Sequence, residues 1–439
     1  MKIAVVALGK IGLPLAVQFA SSGHEVVGVD VNERQVATIN EAKEPFPGEA
    51  HLAERLAELV PTGRFRATTD YADAVPGADA VVLVAPVFVD EETWEPDFRY
   101  MDAATRSLAE HLTPGTVVAY ETTLPVGTTR TRFVPVLEEV SGLKESRDFF
   151  AVYSPERVLT GRVFADLRKY PKLIGALSPE GAAKGRELYE AVLQFDERPD
   201  LDRANGVWDL GSPEAAELAK LAETTYRDLN IGFANELALF CQDHGIDVYK
   251  VIAASNSQPY SHIHQPGIAV GGHCIPVYPR LYLSTDPHAE TVRTARKLNA
   301  SVPGKLVGRA EEILGSLEGL TAVVLGATYR AGVKETAFSG VFPTVAELEA
   351  RGARVRVHDP FYSDEELAKY GWDAWHEGDS ADLAIVQTNH PEYRGYTAET
   401  IPGVRLLIDG RNITSFENWV GTPRFVLGNG ENSTLGKAS

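Results

Sequence analysis

Cysteine is scarce. Of 439 residues only Cys241 and Cys274 carry a thiol. Two cysteines do not make a disulfide framework, so a small secreted scaffold stapled by cross-links is excluded and a reducing compartment is expected. Positive charge is also short: 42 Lys and Arg stand against 61 Asp and Glu, a formal net charge of −19, with no Lys/Arg-rich run to offset it. Such a chain repels a phosphate backbone, so nucleic acid is not an expected partner. Long apolar runs are missing too. The opening "MKIAVVAL" is too short to span a bilayer and passes straight into a glycine turn, so it reads as a first strand rather than a signal peptide. The expectation is a cytoplasmic protein without membrane contact. No Gly/Ser, Gln or single-charge tract interrupts the chain, and only the tail after Phe425 is expected to be loose.

What is present is a globular composition, 44% hydrophobic and 23% charged, in a chain long enough for two or three cores. The first thirty residues read strand, tight turn, helix, strand. The turn Ala7-Leu8-Gly9-Lys10-Ile11-Gly12 is the dinucleotide fingerprint G-x-G-x-x-G with alanine at the first glycine. In that pattern the glycines allow a sharp turn, let backbone approach a pyrophosphate and let helix and strand pack closely. Asp30 closes the second strand, where a carboxylate binds a ribose 2′-hydroxyl and repels a 2′-phosphate, so NAD is expected rather than NADP. Further strand-like runs, "ADAVVLVAPV", "GTVVAYETTLPVGTT", "FFAVYSPERV" and "PKLIGA", alternate with helical patterns such as 101–111. Pro86, Glu121, Thr122, Thr123 and Ser154 to Glu156 then fall at strand carboxyl ends, the side on which doubly wound sheets bind ligands. A turn cap is an equally plain role for Thr122.

Near residue 320 the plan repeats: "LTAVVLGATY", a helix over 344–351, then "ARGARVRVHDP", which matches "SSGHEVVGVD" in ending its strand on aspartate. A second Rossmann-like unit follows, with either a second nucleotide ligand or a purely structural duplication. Between the two, a helical pattern runs from a Ser212 cap and Pro213 to Gly245, with Lys220 and Thr224 on one face. By itself Lys220 reads as a solvated amine and Cys241 as a small buried hydrophobe. Cys274 lies in "QPGIAVGGHCIPVYPR", where Gly267, Gly271 and Gly272 free backbone N–H groups to face an anion. Two readings stand for it, a nucleophile or an inert packed thiol. His262, His264 and His273 near one cysteine match no zinc ligand spacing, so no metal is expected.

Taken in order, "LGKIGLPLA", "ETTLPVGTT", "YSPERVLTG", "AELAKLAETTYRDLNIGFANELA", "GGHCIPVYP", "LNASVP", "VVLGATYRAG" and "DGRNI" resemble the UDP-glucose/GDP-mannose dehydrogenase family. The resemblance spans nearly the whole chain. It implies an α/β protein of two Rossmann-like doubly wound domains joined by a long-helix dimerisation region, divided as residues 1–200, 201–302 and 303–439. It further implies four-electron oxidation of the C6 alcohol of a nucleotide-linked sugar to the acid, with two NAD and one water, in a homodimer or an assembly of dimers. Cys274 would be the nucleophile, Lys220 the cation for the C6 oxyanion and Glu156 the proton handler. Thr123 and Thr224 would complete the catalytic set, Thr123 by holding water. Gly9, Lys10, Ile11, Gly12, Asp30, Pro86, Glu121 and Thr122 would hold the cofactor. Glu156, Lys220, Gly271, Gly272, Tyr260 and Arg411 would meet the sugar nucleotide. The "GHC" form points to the UDP-N-acetylhexosamine branch, with UDP-glucose or a dTDP-sugar as alternatives. The chain departs from the family pattern at Tyr278, where an aspartate is usual, at Thr224, where asparagine is usual, and at Ala337-Phe338, where an Arg-Glu pair is usual. These departures keep two rivals in view, a two-electron dehydrogenase and a non-catalytic sugar-nucleotide binder.

Overall fold

A computed structural model describes residues 1–90 and 93–430. In the first unit, strands form where β-branched runs are bounded by turn residues: β1 (Lys2–Val6), β2 (Glu25–Val29), β3 (Phe65–Thr68) and β4 (Ala80–Leu83). A small antiparallel hairpin, β5 (Phe88–Val89) and β6 (Pro96–Asp97), stands apart from the sheet. The sheet continues with β7 (Val117–Tyr120), β8 (Phe150–Tyr153), β9 (Lys172–Ala176) and β10 (Val207–Asp209), in the order β10-β9-β8-β7-β4-β1-β2-β3. All neighbours are parallel except β8 and β9. Helices cover both faces, so the strands are buried on both sides. Ile3 and Val5 join one apolar core while Ala4 and Val6 join the other, the period of two that a pleated strand imposes.

The second sheet comprises β11 (Thr321–Leu325), β12 (Arg354–His358), β13 (Asp373–Ala374), β14 (Leu383–Val386), β15 (Leu406–Asp409) and β16 (Arg424–Val426). It is wholly parallel, in the order β13-β12-β11-β14-β15-β16. Its opening strand lies in the middle as β1 does, so the duplication read in the sequence is present in the topology. The parallel extends to atoms. Ala7 N–H donates to Val29 O at 2.8 Å and Gly326 N–H to His358 O at 2.7 Å. Asp30 Oδ2 accepts Leu8 N–H at 2.8 Å, and Asp359 Oδ2 accepts Ala327 N–H at 2.8 Å.

Contacts divide the chain into two compact units, Met1–Ala222 with Arg280–Thr285, and Glu223–Pro279 with the chain from Asp286 onward. The long helix Pro213–Asp243 runs from one into the other. In the second unit it packs beside the helix Glu290–Leu314 through a buried polar chain: Asp228 pairs with Arg296 and accepts from Asn299, and Asn235 donates to Asn299 Oδ1. The tail expected to loosen after Phe425 instead stays in the fold through Gly430, because Val426 completes β16 and Gly430 N–H donates to Ile246 O at 2.9 Å; residues 431–439 lie outside the described residues. Among the described residues no helix is long and apolar enough to cross a membrane.

Candidate active site

The turn after β1 meets the requirements of a dinucleotide phosphate cradle at each step. Ala7 takes a left-handed backbone, φ 73°, where the fingerprint has its first glycine. A Cβ on Gly12 would drive into the Ala7 carbonyl, so the helix Gly12–Ser21 approaches the turn as closely as only glycine permits. A Cβ on Gly9 would meet nothing within 4 Å, leaving open space over the backbone, and no side chain caps the helix that follows. Lys10 is exposed and Ile11 half-buried beside it. Asp30 holds the turn by accepting from Leu8 and, at 2.9 Å, from Asn32. These residues fit NAD: Gly9, Gly12 and the N–H groups at the start of the helix would hold its pyrophosphate.

The second turn is closed by the protein itself. Asp359 accepts from Ala327, Thr328, Phe361 and His390, and a Cβ on Gly326 would strike Thr388. Asp359 repeats the role of Asp30, but the place of Gly9 is taken by Thr328, whose hydroxyl lies 2.7 Å from His390 Nε2, so the open space over Gly9 has no counterpart here.

At the carboxyl ends of β7 and β8 and the amino end of the antiparallel β9 the first unit gathers charge. Lys172 Nζ lies 2.7 Å from Glu121 Oε2 and 2.8 Å from Glu156 Oε2. Tyr189 donates its hydroxyl to Glu121 Oε1 at 2.7 Å, while Glu156 Oε1 accepts the N–H groups of Arg157 and Val158 at 2.6 and 3.2 Å. Side-chain exposure is 0% for Glu121, 5% for Lys172 and 10% for Glu156, so Glu156 is the member that reaches the surface of the cluster. Burial pushes the Glu121 carboxyl up to about 7 against the pull of Lys172. Burial acts the same way on Glu156, but the Lys172 ammonium, the Arg157 N–H and the charge of Lys220 together hold it below its ordinary value. Lys220 is itself buried, on the long helix. A water-sized cavity opens beside Glu156, Lys172, Leu167 and Tyr170.

Of the other candidates in this unit, Thr122 donates to Ala85 O at 2.7 Å, a turn-capping bond next to exposed Pro86, and Thr123 is buried beside it. Glu121, expected at the cofactor, has both carboxylate oxygens engaged by Lys172 and Tyr189. Lys172 and Tyr189 were not singled out in the sequence. The available signal was a lysine inside the apolar strand "PKLIGA".

In the second unit the loop around Cys274 is held at several points. Gly272, φ 90°, donates to Ala337 O at 2.9 Å, and a Cβ there or on Gly271 would run into Tyr329. His273 pairs with Glu335 at 2.6 Å. The Cys274 carbonyl accepts from Tyr278 N–H at 2.9 Å, which sets the cysteine at the foot of the short helix Tyr278–Thr285. Cys274 is half-buried, whereas Cys241 is 3% exposed and burial raises its thiol. Upstream, Gly267 N–H donates to Asn235 Oδ1 at 2.9 Å. Arg411 spans this segment, donating to Gln387 O at 2.8 Å and Ala269 O at 3.1 Å, and burial lowers its guanidinium to about 10. Thr224 is buried four residues on from Lys220. Tyr260 is 92% exposed, and its N–H is taken by the Gln258 side chain. Among the described residues no group of three His, Cys, Asp or Glu side chains is arranged to hold a metal ion.

Comparison with known proteins shows which family shares this sequence and fold. Residues 1–193 match the NAD binding domain of the UDP-glucose/GDP-mannose dehydrogenase family, 214–301 its central domain and 323–416 its UDP binding domain. A UDP-N-acetyl-D-mannosamine dehydrogenase of Pyrococcus horikoshii is 34% identical over 428 residues, covering 94% of this chain and 96% of that protein. An NDP-N-acetyl-D-galactosaminuronic acid dehydrogenase of Ralstonia nicotianae is 30% identical over 430 residues, covering 94% and 96%. A solved structure of the UDP-D-ManNAc dehydrogenase from Pyrococcus horikoshii matches with a TM-score of 0.85 at 32% identity, over 98% of this chain and all of that one. An open dinucleotide cradle, a second nucleotide-type sheet and similarity along nearly the full length lead to one conclusion: the chain belongs to the UDP-glucose/GDP-mannose dehydrogenase family and is an NAD-dependent oxidoreductase.

Proposed function

We propose that the chain oxidises the C6 hydroxyl of a nucleotide-diphosphate sugar to the carboxylate in two successive steps. A UDP-N-acetylhexosamine is the first candidate substrate, favoured by the "GHC" motif and by the activities for which its relatives are named. UDP-glucose and a dTDP-sugar come after it. The observation that carries the reading is the contrast between the two thiols. Cys241 is walled into a core, while Cys274 is half-buried in a glycine loop whose backbone is locked, the condition for a thiolate that must reach one fixed atom.

Gly9, Gly12 and Asp30 would hold NAD, which would supply the hydride acceptor for each oxidation. In the first, Glu156 passes the C6 hydroxyl proton toward water, leaving the aldehyde. The Cys274 thiolate adds to that aldehyde, forming a C–S bond, and the Lys220 ammonium faces the oxyanion. Loss of the second hydride leaves a thioester. A water positioned by Thr123 adds to it, Glu156 takes the water's proton, and the C–S bond breaks to free the acid and the thiol. Over the cycle two hydrides and three protons leave and one water enters.

The test is a panel of UDP-, dTDP- and GDP-sugars with NAD, counting NADH per product. Two NADH per acid are expected, with an adduct on Cys274 visible by intact-mass measurement. Cys274→Ala is expected to abolish the second oxidation, and Lys220→Met to lower kcat by about 10²–10³-fold. The second reading, a two-electron dehydrogenase, is favoured by Tyr278, which puts a phenol rather than a carboxylate at the start of the helix after Cys274. One NADH per turnover, unchanged in Cys274→Ala, would establish that reading instead. Binding without NADH from any sugar would establish a non-catalytic binder, and activity on a GDP-sugar alone would overturn the ranking of substrates.

A homodimer is proposed on the long helix. Tyr226, Phe233 and Phe240 recur at seven-residue spacing and are 52, 50 and 55% exposed, a row of aromatic rings suited to a second copy. The division into residues 1–200, 201–302 and 303–439 is retained as the functional one, and the two free thiols favour the cytoplasm.

A further inference from the structure

We infer that Lys172 is a positioning residue for this reaction: its buried ammonium fixes the Glu156 carboxylate and keeps it ionised, while Glu121, anchored by Tyr189, competes for the same ammonium from behind. The inference rests on the reading of Glu156 as the proton handler. Lys172 opens β9, and the two glutamates follow β7 and β8, so three adjacent strands deliver the three groups to one place. One ammonium between two carboxylates at 2.7 and 2.8 Å leaves the cluster one positive charge short. Neither Lys172 nor Glu121 can rotate into water, being 5% and 0% exposed, so the balance is set inside the protein. The ammonium also lies 4.8 Å from the centre of the Tyr189 ring, which holds it by cation–π attraction and narrows its freedom further.

The other groups around Glu156 are few. Lys220 adds a second positive charge, Arg157 donates its N–H, and Asp166 and Tyr170 line the same cavity. Asp166 is already occupied by Leu159 N–H and Arg162. A proton-accepting Glu156 works only when ionised, and Lys172 is the cation bonded to it directly.

The arrangement predicts shifts of opposite sign. Lys172→Gln removes the cation, so the acid limb of the kcat/KM profile should move to higher pH by about one pH unit. Glu121→Gln removes the competing carboxylate and leaves Lys172 to Glu156 alone, so the same limb should move to lower pH. Lys172→Arg, which keeps the charge, should restore most of the wild-type profile. A purely structural role would lower activity in all three without opposed shifts. If Lys172→Gln does not fold, Glu121→Gln decides the matter, because it removes the excess charge rather than adding to it. Glu156→Gln separates the two levels. If that variant turns over like wild type, the proton-handling reading falls and the role of Lys172 falls with it. If Glu156→Gln is inactive and the acid limb stays put in the other variants, the role of Lys172 alone is overturned.

Discussion

Ala7 holds a left-handed backbone, φ 73°, at the position where the matching turn of the second sheet has Gly326 at φ 113°. A Cβ in that region crowds the following carbonyl, so Ala7→Gly should stabilise the protein by roughly 0.5–1 kcal/mol, read as a higher urea midpoint. Gly12 is the converse case. Its Cα faces the Ala7 carbonyl, and Gly12→Ala should destabilise by on the order of 2 kcal/mol and weaken NAD binding by titration, since the helix must move off the turn. Glu217 offers a pH test. It accepts from Gly127 N–H and from the N–H and hydroxyl of Thr129, and burial pushes its carboxyl up to about 7. A carboxyl raised on folding favours the fold while protonated, so its contribution is complete below about pH 4.5 and fades as pH rises through about 7. The melting temperature should therefore carry a downward component across that window, and Glu217→Gln should lack it. The fingerprint glycines and Asp30 were legible because a phosphate-binding turn is specified by local spacing, whereas Glu156 and Cys274 stood out only through motifs shared with a family. Lys172 was not legible, because its partners lie 51 and 16 residues away in sequence and only the strand order brings them together.

Among the elements, the pairing of the long helix Pro213–Asp243 with Glu290–Leu314 controls the glycine segment ahead of Cys274. Asn235 is fully buried and bridges Gly267 N–H to Asn299, which in turn leans on Asp228 and Arg296. Asn235→Ala leaves a buried N–H and a buried amide unpaired, and should lower stability by about 1–3 kcal/mol. It should also raise KM for the sugar nucleotide more than it lowers kcat, because the segment it fixes is a binding surface in the proposed reaction; steady-state kinetics would show equal effects if that assignment is wrong. Arg411 belongs to the same device. It was expected at the substrate, and the structure shows it tying Ala269 to Gln387. The helix itself was readable from its Ser212-Pro213 start and its 3.6-residue period. Its polar seam was not, because an asparagine in a helix looks the same from sequence whether it faces water or another asparagine.

For the whole molecule, the duplicated sheets and the exposed row Tyr226, Phe233 and Phe240 are the features with consequences. If that row is the dimer seam, Phe233→Arg should give monomers by sedimentation at concentrations where the wild type is dimeric; an unchanged mass would remove the helix from the interface. The duplication also shows how one plan serves two ends. In the first copy the turn is left open over Gly9, and in the second Thr328 stands at that place with its hydroxyl on His390. Sequence by itself determined the architecture and the cofactor class, because period-two and 3.6-residue patterns, turn glycines and helix caps act over a few residues. Tertiary structure alone decided which carboxylates share one buried ammonium and which arginine holds a loop, because burial and charge balance depend on neighbours far along the chain.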